Sequence, residues 1–130
     1  MTNAIKLVVA DQHPMVRDAL NQLLNGQENM EVIGSGADGF GAVSMAQELR
    51  PDVLILDLAM PHMNGLETVQ MIHSSVPETS IVIHSMHKKD AYIHKAFSAG
   101  AKGYVLKAAP SMELLNAILS VTQGQYFISS

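Results

Sequence analysis

In Asp52-Val53-Leu54-Ile55-Leu56-Asp57-Leu58-Ala59-Met60-Pro61-His62-Met63-Asn64-Gly65, an apolar run ends on a carboxylate and gives way at once to a loop rich in Pro, Asn and Gly. A continuous branched-aliphatic run of this length reads as a strand buried on both faces, the pattern of a parallel sheet. The carboxylate that closes it, Asp57, therefore stands at the mouth of the fold. Asn64-Gly65 allows the loop to turn tightly into the next helix.

Outward from that strand, short apolar runs alternate with segments of helical period. Ile5 to Ala10 is a strand, and Pro14 suits the first turn of a helix whose Val16, Ala19, Leu20, Leu23 and Leu24 share one face. Gly26 stops that helix. Met30 to Ile33 is a second strand, and Phe40 to Leu49 a second helix with Val43, Ala46 and Leu49 inward. Beyond Asp57, Leu66, Val69 and Ile72 mark a third helix that ends before Pro77. Ser80 to His84 is the fourth strand and Ala91 to Ala99 the fourth helix. Gly103 to Leu106 is the fifth strand, and Pro110-Ser111 starts a last helix carrying Leu114, Leu115, Ile118 and Leu119.

This strict alternation predicts an α/β fold: a flavodoxin-like (βα)5 doubly wound parallel sheet in a single domain. The strand order 2-1-3-4-5 is adopted from known sheets of this kind, whose ligands sit at the carboxyl ends of the strands beside the switch point between strands 1 and 3. Asp11 follows strand 1, Asp57 strand 3, Ser85 strand 4 and Lys107 strand 5. Taken singly, each has a plain explanation: a helix cap, a turn residue or a solvated charge. Together they put two carboxylates, a hydroxyl and an ammonium on one edge of the sheet.

Ala10-Asp11-Gln12-His13-Pro14, the loop from Asp57 to Gly65, Ser85, and Gly100-Ala101-Lys102-Gly103-Tyr104-Val105-Leu106-Lys107 resemble the receiver domain of bacterial two-component response regulators over essentially the whole chain. The resemblance implies that Asp57 accepts a phosphoryl group from a sensor histidine kinase. It also implies that Mg²⁺ is held by Asp11, Asp57 and the backbone carbonyl of Ala59. Such a cation relieves the repulsion between an attacking carboxylate and a phosphoryl group, typically with one or two carboxylates plus phosphate oxygens and water. Lys107 would neutralise a phosphoryl oxygen and Ser85 would donate a hydrogen bond to another. Tyr104 would be the switch aromatic that follows Ser85.

Two positions depart from the family pattern. Gln12 stands where a second consecutive acid is usual, which predicts weaker Mg²⁺ binding and slower phosphorylation, although its amide oxygen could still coordinate. Ala108 stands where many receivers carry a proline after the lysine, which leaves the isomer of the 107–108 peptide open. His13-Pro14 and the tail Gln123-Gly124-Gln125-Tyr126-Phe127-Ile128-Ser129-Ser130 resemble regulators with a LuxR-type helix-turn-helix output. On that resemblance residues 1–122 form the phosphoacceptor receiver, and 123–130 begin a linker to a DNA-binding output domain outside this chain. A free-standing receiver with a frayed tail is the alternative for the tail. A homodimer on activation is expected; the apolar faces of helices 1 and 5 could serve it, but core burial explains those faces equally well.

Composition agrees with that reading and narrows it. Over 130 residues, 48% hydrophobic and 15% charged content describes a folded domain with a real core. A net charge of −4 supplies no basic face for nucleic acid, so any contact with DNA is expected only through another domain. The absence of Cys excludes disulfides and thiolate metal sites. Met1-Thr2-Asn3 lacks the shape of a signal peptide and no run approaches the length of a membrane span, which predicts a soluble, cytoplasmic protein without membrane contact. The six histidines read as scattered surface or loop residues, with His13 needing no catalytic role; the nine methionines read as core filler.

Three rival readings draw on the same residues. A degenerate receiver, working as a phosphorylation-independent dimerisation or interaction module, is favoured by Gln12 and opposed by Asp57, Ser85 and Lys107. An aspartyl-phosphate hydrolase wants an acid two residues after the nucleophile, where Ala59 stands. A flavin protein wants a phosphate-cradling loop after strand 1, where Asp11 would repel phosphate. The expected protein is a signalling switch and not an enzyme in the usual sense, although it assists its own phosphotransfer and dephosphorylation.

Overall fold

The computed structural model describes residues 4–61 and 63–129, so the expectations for Met1-Thr2-Asn3, His62 and Ser130 lie outside the described residues. The elements are β1 (Ile5–Ala10), α1 (Pro14–Asn25), β2 (Met30–Gly36), α2 (Gly39–Leu49), β3 (Val53–Leu56), α3 (Gly65–Ser75), β4 (Ser80–Ser85), α4 (Asp90–Ala99), β5 (Gly103–Leu106), α5 (Ser111–Thr122) and β6 (Phe127–Ile128). All strands pair in parallel in the order β2-β1-β3-β4-β5-β6.

Alternation along each strand divides the core. Leu7, Val9, Val53, Ile55, Val82 and Val105 pack with Leu20 and Leu24 of α1 and Leu114, Ile118 and Val121 of α5. Val8, Ala10, Leu54, Leu56, Ile81, Ile83 and Tyr104 pack on the other face, against α2, α3 and α4. Every residue of β3 is buried, as an interior parallel strand requires.

Three expectations need correction. The sheet has six strands among the described residues rather than the five of the order 2-1-3-4-5. The sixth comes from the tail expected to begin a linker at 123–130. There the Phe127 N–H donates to the Lys102 carbonyl at 3.0 Å and the Ser129 N–H to the Tyr104 carbonyl at 2.8 Å. Those bonds satisfy backbone groups that the outer edge of β5 would otherwise leave unpaired. The Tyr126 ring helps to seat the strand, edge-on to Phe97 at 5.8 Å with the Lys102 ammonium 4.8 Å from its centroid. Second, β2 runs on to Gly36 instead of ending at Ile33, because Gly34, Ser35 and Gly36 still pair with Val8, Val9 and Ala10 despite their lack of apolar side chains. Third, Leu49, expected inward, is exposed at the end of α2.

The loop after Asp57 is fixed by close packing as well as by turn chemistry. The Asn64 side chain caps α3, accepting from the N–H groups of Leu66 and Glu67. A Cβ on Gly65 would come within 2.5 Å of the Leu58 carbonyl oxygen and 2.8 Å of its Cα. Backbone cannot yield there as a flexible side chain would. Gly65→Ala should therefore destabilise the domain by about 1–3 kcal/mol, the usual cost of overpacking, read as a lower denaturant midpoint with an unchanged m-value.

Candidate functional site

The ends of β1, β3 and β5 converge. Asp57 follows β3 with its N–H donated to the Ala10 carbonyl at 2.9 Å, so it continues the ladder beside β1. Its Oδ1 accepts from the Ala59 N–H at 3.0 Å, which curls the loop back over the carboxylate. Asp11 follows β1, and its Oδ1 accepts from the His13 N–H at 2.9 Å. His13, not Asp11, is the N-cap position of α1, and no side chain caps that helix. The plain cap reading of Asp11 therefore fails. Arg17 braces the turn from inside α1, donating to the Asp11 carbonyl at 2.7 Å.

Lys107 joins the two acids. Its Nζ lies 2.9 Å from Oδ2 of Asp11 and 3.1 Å from Oδ2 of Asp57, and both carboxylates are nearly inaccessible to solvent. The Lys107 N–H donates to the Ser85 carbonyl at 2.7 Å, which pins the lysine to the end of β4. Burial alone would raise the Asp11 pKa. The His13 backbone N–H and the Lys107 ammonium outweigh it and hold the carboxyl below its ordinary 3.8. For Lys107 burial acts to lower the pKa, yet its bonds to Asp11 and Asp57 raise it above the ordinary 10.5. Asp11 and Lys107 thus hold each other in their charged forms. The Lys107–Ala108 peptide is trans, as is every peptide bond among the described residues.

Gln12 is exposed and its amide donates to the Ala59 carbonyl, the oxygen expected to face a cation. The donor set fits a dication through Asp11 and Asp57. At Ala59 the Gln12 amide must first turn away or turn over to present its oxygen.

Ser85 and Tyr104 meet through a residue that the sequence gave no reason to single out. Ser85 Oγ accepts from the His87 N–H at 3.0 Å, and the Tyr104 hydroxyl donates to the His87 carbonyl at 2.6 Å. His87 is thus held at both ends of its backbone, while its ring stacks on Tyr92 at 4.6 Å. Burial pushes the Tyr104 phenol above 10.0, against the Ser85 hydroxyl, which acts to lower it. A cleft of 230 Å³ opens beside Ala59, walled by Leu58, Asn64, His87 and Tyr92.

The reading of the histidines needs two amendments. His13, expected to need no role, places its Nδ1 3.3 Å from Asp11 Oδ1. Asp11, His13 and Asp57 each bring a ligand atom to within 4.8 Å of the others. His84, expected in the fourth strand and there found, is not a surface residue: it is buried on the α1/α5 side of the sheet, and its Nδ1 has no partner among the described residues. The spacing of His84, His87 and His94 predicted no metal cluster, and the cluster found among the described residues uses none of them.

A model of the response regulator receiver domain matches residues 7–119. The chain belongs to that family. It is 43% identical over 125 residues to the oxygen regulatory protein NreC of Staphylococcus epidermidis, covering 95% of this chain and 57% of the relative. The chain thus spans little more than half the length of that protein. A two-component response regulator of the LuxR family from Aurantimonas sp. SI85-9A1 superposes with a TM-score of 0.92 at 31% identity, over 96% of this chain and 89% of that one. The receiver domain of the putative response regulator NarL from Mycobacterium tuberculosis gives 0.90 at 29% identity, over 95% and 99%.

His84 supplies a test of this electrostatic arrangement. Burial first, and then the Lys107 charge, lower its pKa below 6.5 against the opposing pull of Asp11 and Asp57. From 6.5 down to that lowered value the unfolded chain takes up the proton while the folded one does not, so stability must fall as the pH drops through this window. Urea unfolding at stepped pH should show that slope in the wild type and lose it in His84→Gln; equal slopes would contradict the assignment.

Proposed function

We propose that this receiver is a phosphorylation-dependent switch in which Asp57 takes a phosphoryl group from a sensor histidine kinase. The observation that carries the reading is the buried Asp57 carboxylate within 3.1 Å of the Lys107 ammonium, with Asp11 on the same ammonium. A carboxylate oxygen of Asp57 attacks the phosphorus, the bond to the donor's nitrogen or oxygen breaks, and the donor leaves with that electron pair. Lys107, already in place, meets charge on the transferred oxygens without reorganisation. Asp11 and Asp57 would hold Mg²⁺, with the Ala59 carbonyl added once Gln12 lets go. When bound, the cation supplies charge neutralisation between nucleophile and phosphate.

Ser85 would then be drawn to the new phosphoryl group. Its present bond is to the His87 N–H, so its departure loosens one end of a residue whose other end Tyr104 holds. The Tyr104 carbonyl is in turn bonded to Ser129 of the tail. That chain of contacts supports a relay from the phosphate through Tyr104 and β6 toward whatever the tail leads to. Residues 1–122 act as the phosphoacceptor unit and 123–130 as the route to a DNA-binding transcriptional output domain. We also assign self-association on activation to the face of α1 and α5, where Met15 and Met112 stand exposed.

The Gln12–Ala59 hydrogen bond favours one competing reading, a phosphorylation-independent interaction module whose cation position is closed. Intact mass after incubation with acetyl phosphate and Mg²⁺ separates the two. The switch predicts a gain of one phosphoryl group in the wild type and none in Asp57→Ala. No gain at saturating Mg²⁺ would hand the lead to the interaction module. Gln12→Asp should also strengthen Mg²⁺ binding about tenfold, equivalent to about 1.4 kcal/mol, measured by calorimetry; an unchanged affinity would remove Gln12 as the weak point.

A further inference from the structure

We propose that His13 is a nitrogen ligand of the cation pocket, so that this receiver prefers borderline first-row dications such as Co²⁺ or Zn²⁺ to Mg²⁺. The inference rests on reading the Asp11/Asp57 pocket as a cation site and concerns which ion it takes.

The carboxylates divide their oxygens between two sides. Lys107 takes Oδ2 of both, and the Oδ1 atoms are left to the loops: that of Asp11 to His13, that of Asp57 to the Ala59 N–H. A cation on the Oδ1 side therefore need not displace the lysine. On that side an all-oxygen set is short of partners. Gln12 carries no charge, and its amide engages the Ala59 carbonyl. The imidazole, by contrast, already lies 3.3 Å from Asp11 Oδ1, and its atoms, with those of Asp11 and Asp57, fall within 4.8 Å of one another. Two ligand atoms about 2.0–2.2 Å from one metal ion stand at most about 4.4 Å apart, so closing on the ion takes a small turn of the His13 ring.

Chemistry then selects the ion. Mg²⁺ is a hard cation that demands oxygen ligands in near-ideal octahedral geometry and dehydrates reluctantly. Imidazole suits Zn²⁺, Ni²⁺ and Cu²⁺, and affinity for mixed nitrogen and oxygen sites rises from Mn²⁺ through Co²⁺ along the first row. One nitrogen with two carboxylates favours those ions, and the missing acid at position 12 removes the oxygen charge that would favour Mg²⁺. His13 is exposed, so its ring can turn to the metal without disturbing the core.

The test is direct binding of Co²⁺ and of Mg²⁺ to the wild type, His13→Ala and Asp57→Asn in the absence of any phosphoryl donor. Calorimetry reads the affinities, and the visible d–d absorption of Co²⁺ reports nitrogen ligation. The expected result is a Co²⁺ site that excess Mg²⁺ displaces, is weakened about tenfold or more in His13→Ala, on the scale seen when ligand-shell residues are lost, and is weakened again in Asp57→Asn. Mg²⁺ affinity should be unchanged by His13→Ala. Equal loss of both ions in His13→Ala, or loss of neither, would overturn the assignment while leaving the cation pocket standing. Co²⁺ binding that survives Asp57→Asn would place the ion on the other histidines and overturn it too. Failure of both ions to bind the wild type would remove the cation pocket along with its ligand.

Discussion

One ammonium makes this site possible. Lys107 lies within hydrogen-bond distance of two carboxylates that the sheet has buried at adjacent strand ends. Two desolvated acids side by side would drive one of them to take up a proton. The lysine opposes this at Asp11, and each acid also accepts a backbone N–H from two residues on. Removing one partner from such a cluster leaves a buried charge uncompensated, which costs far more than the pair contributes in place. The same arrangement therefore stabilises the fold only conditionally.

Around that centre the structure ties neighbouring elements by short backbone links. The Asp57 N–H bonds to Ala10, the Lys107 N–H to Ser85, and His87 is gripped by Ser85 and Tyr104. The tail then closes on Tyr104 through Ser129. A change at Ser85 has a continuous physical path to β6, and no step in it exceeds a single hydrogen bond. Each link is weak on its own, about 1 kcal/mol net. On the proposed reading, the charge of one phosphoryl group, about one to two units, would rearrange such a path.

Much of this was legible in the sequence because it follows from period and position. The buried run Val53 to Leu56 announces an interior parallel strand, and Asp11, Asp57, Ser85 and Lys107 lie at strand ends whose location the alternation sets. What was not legible depends on contacts between distant loops. Nothing local to His87 says that Ser85 and Tyr104 will hold its backbone, and Gln12 shows a missing charge but not its bond to Ala59. β6 escaped because Gln123-Gly124-Gln125 is polar and only Phe127 and Ile128 follow as strand; the open edge of β5 recruits them. Leu49 failed as a core residue because it ends α2: its Cδ1 reaches Gly34 of β2, while the rest of the side chain stays open to solvent. His13 carried no signal beyond its type, since only the turn at Asp11 brings its ring to the carboxylate.

The central claim is that the Lys107 ammonium holds Asp11 ionised beside the Asp57 carboxylate. Carboxyl ¹³C titration by NMR in the wild type and in Lys107→Met tests it most directly. The account predicts that Asp11 titrates below 3.8 in the wild type and moves upward when the ammonium is gone, because burial then acts with less opposition. Titration curves unchanged by Lys107→Met would contradict it.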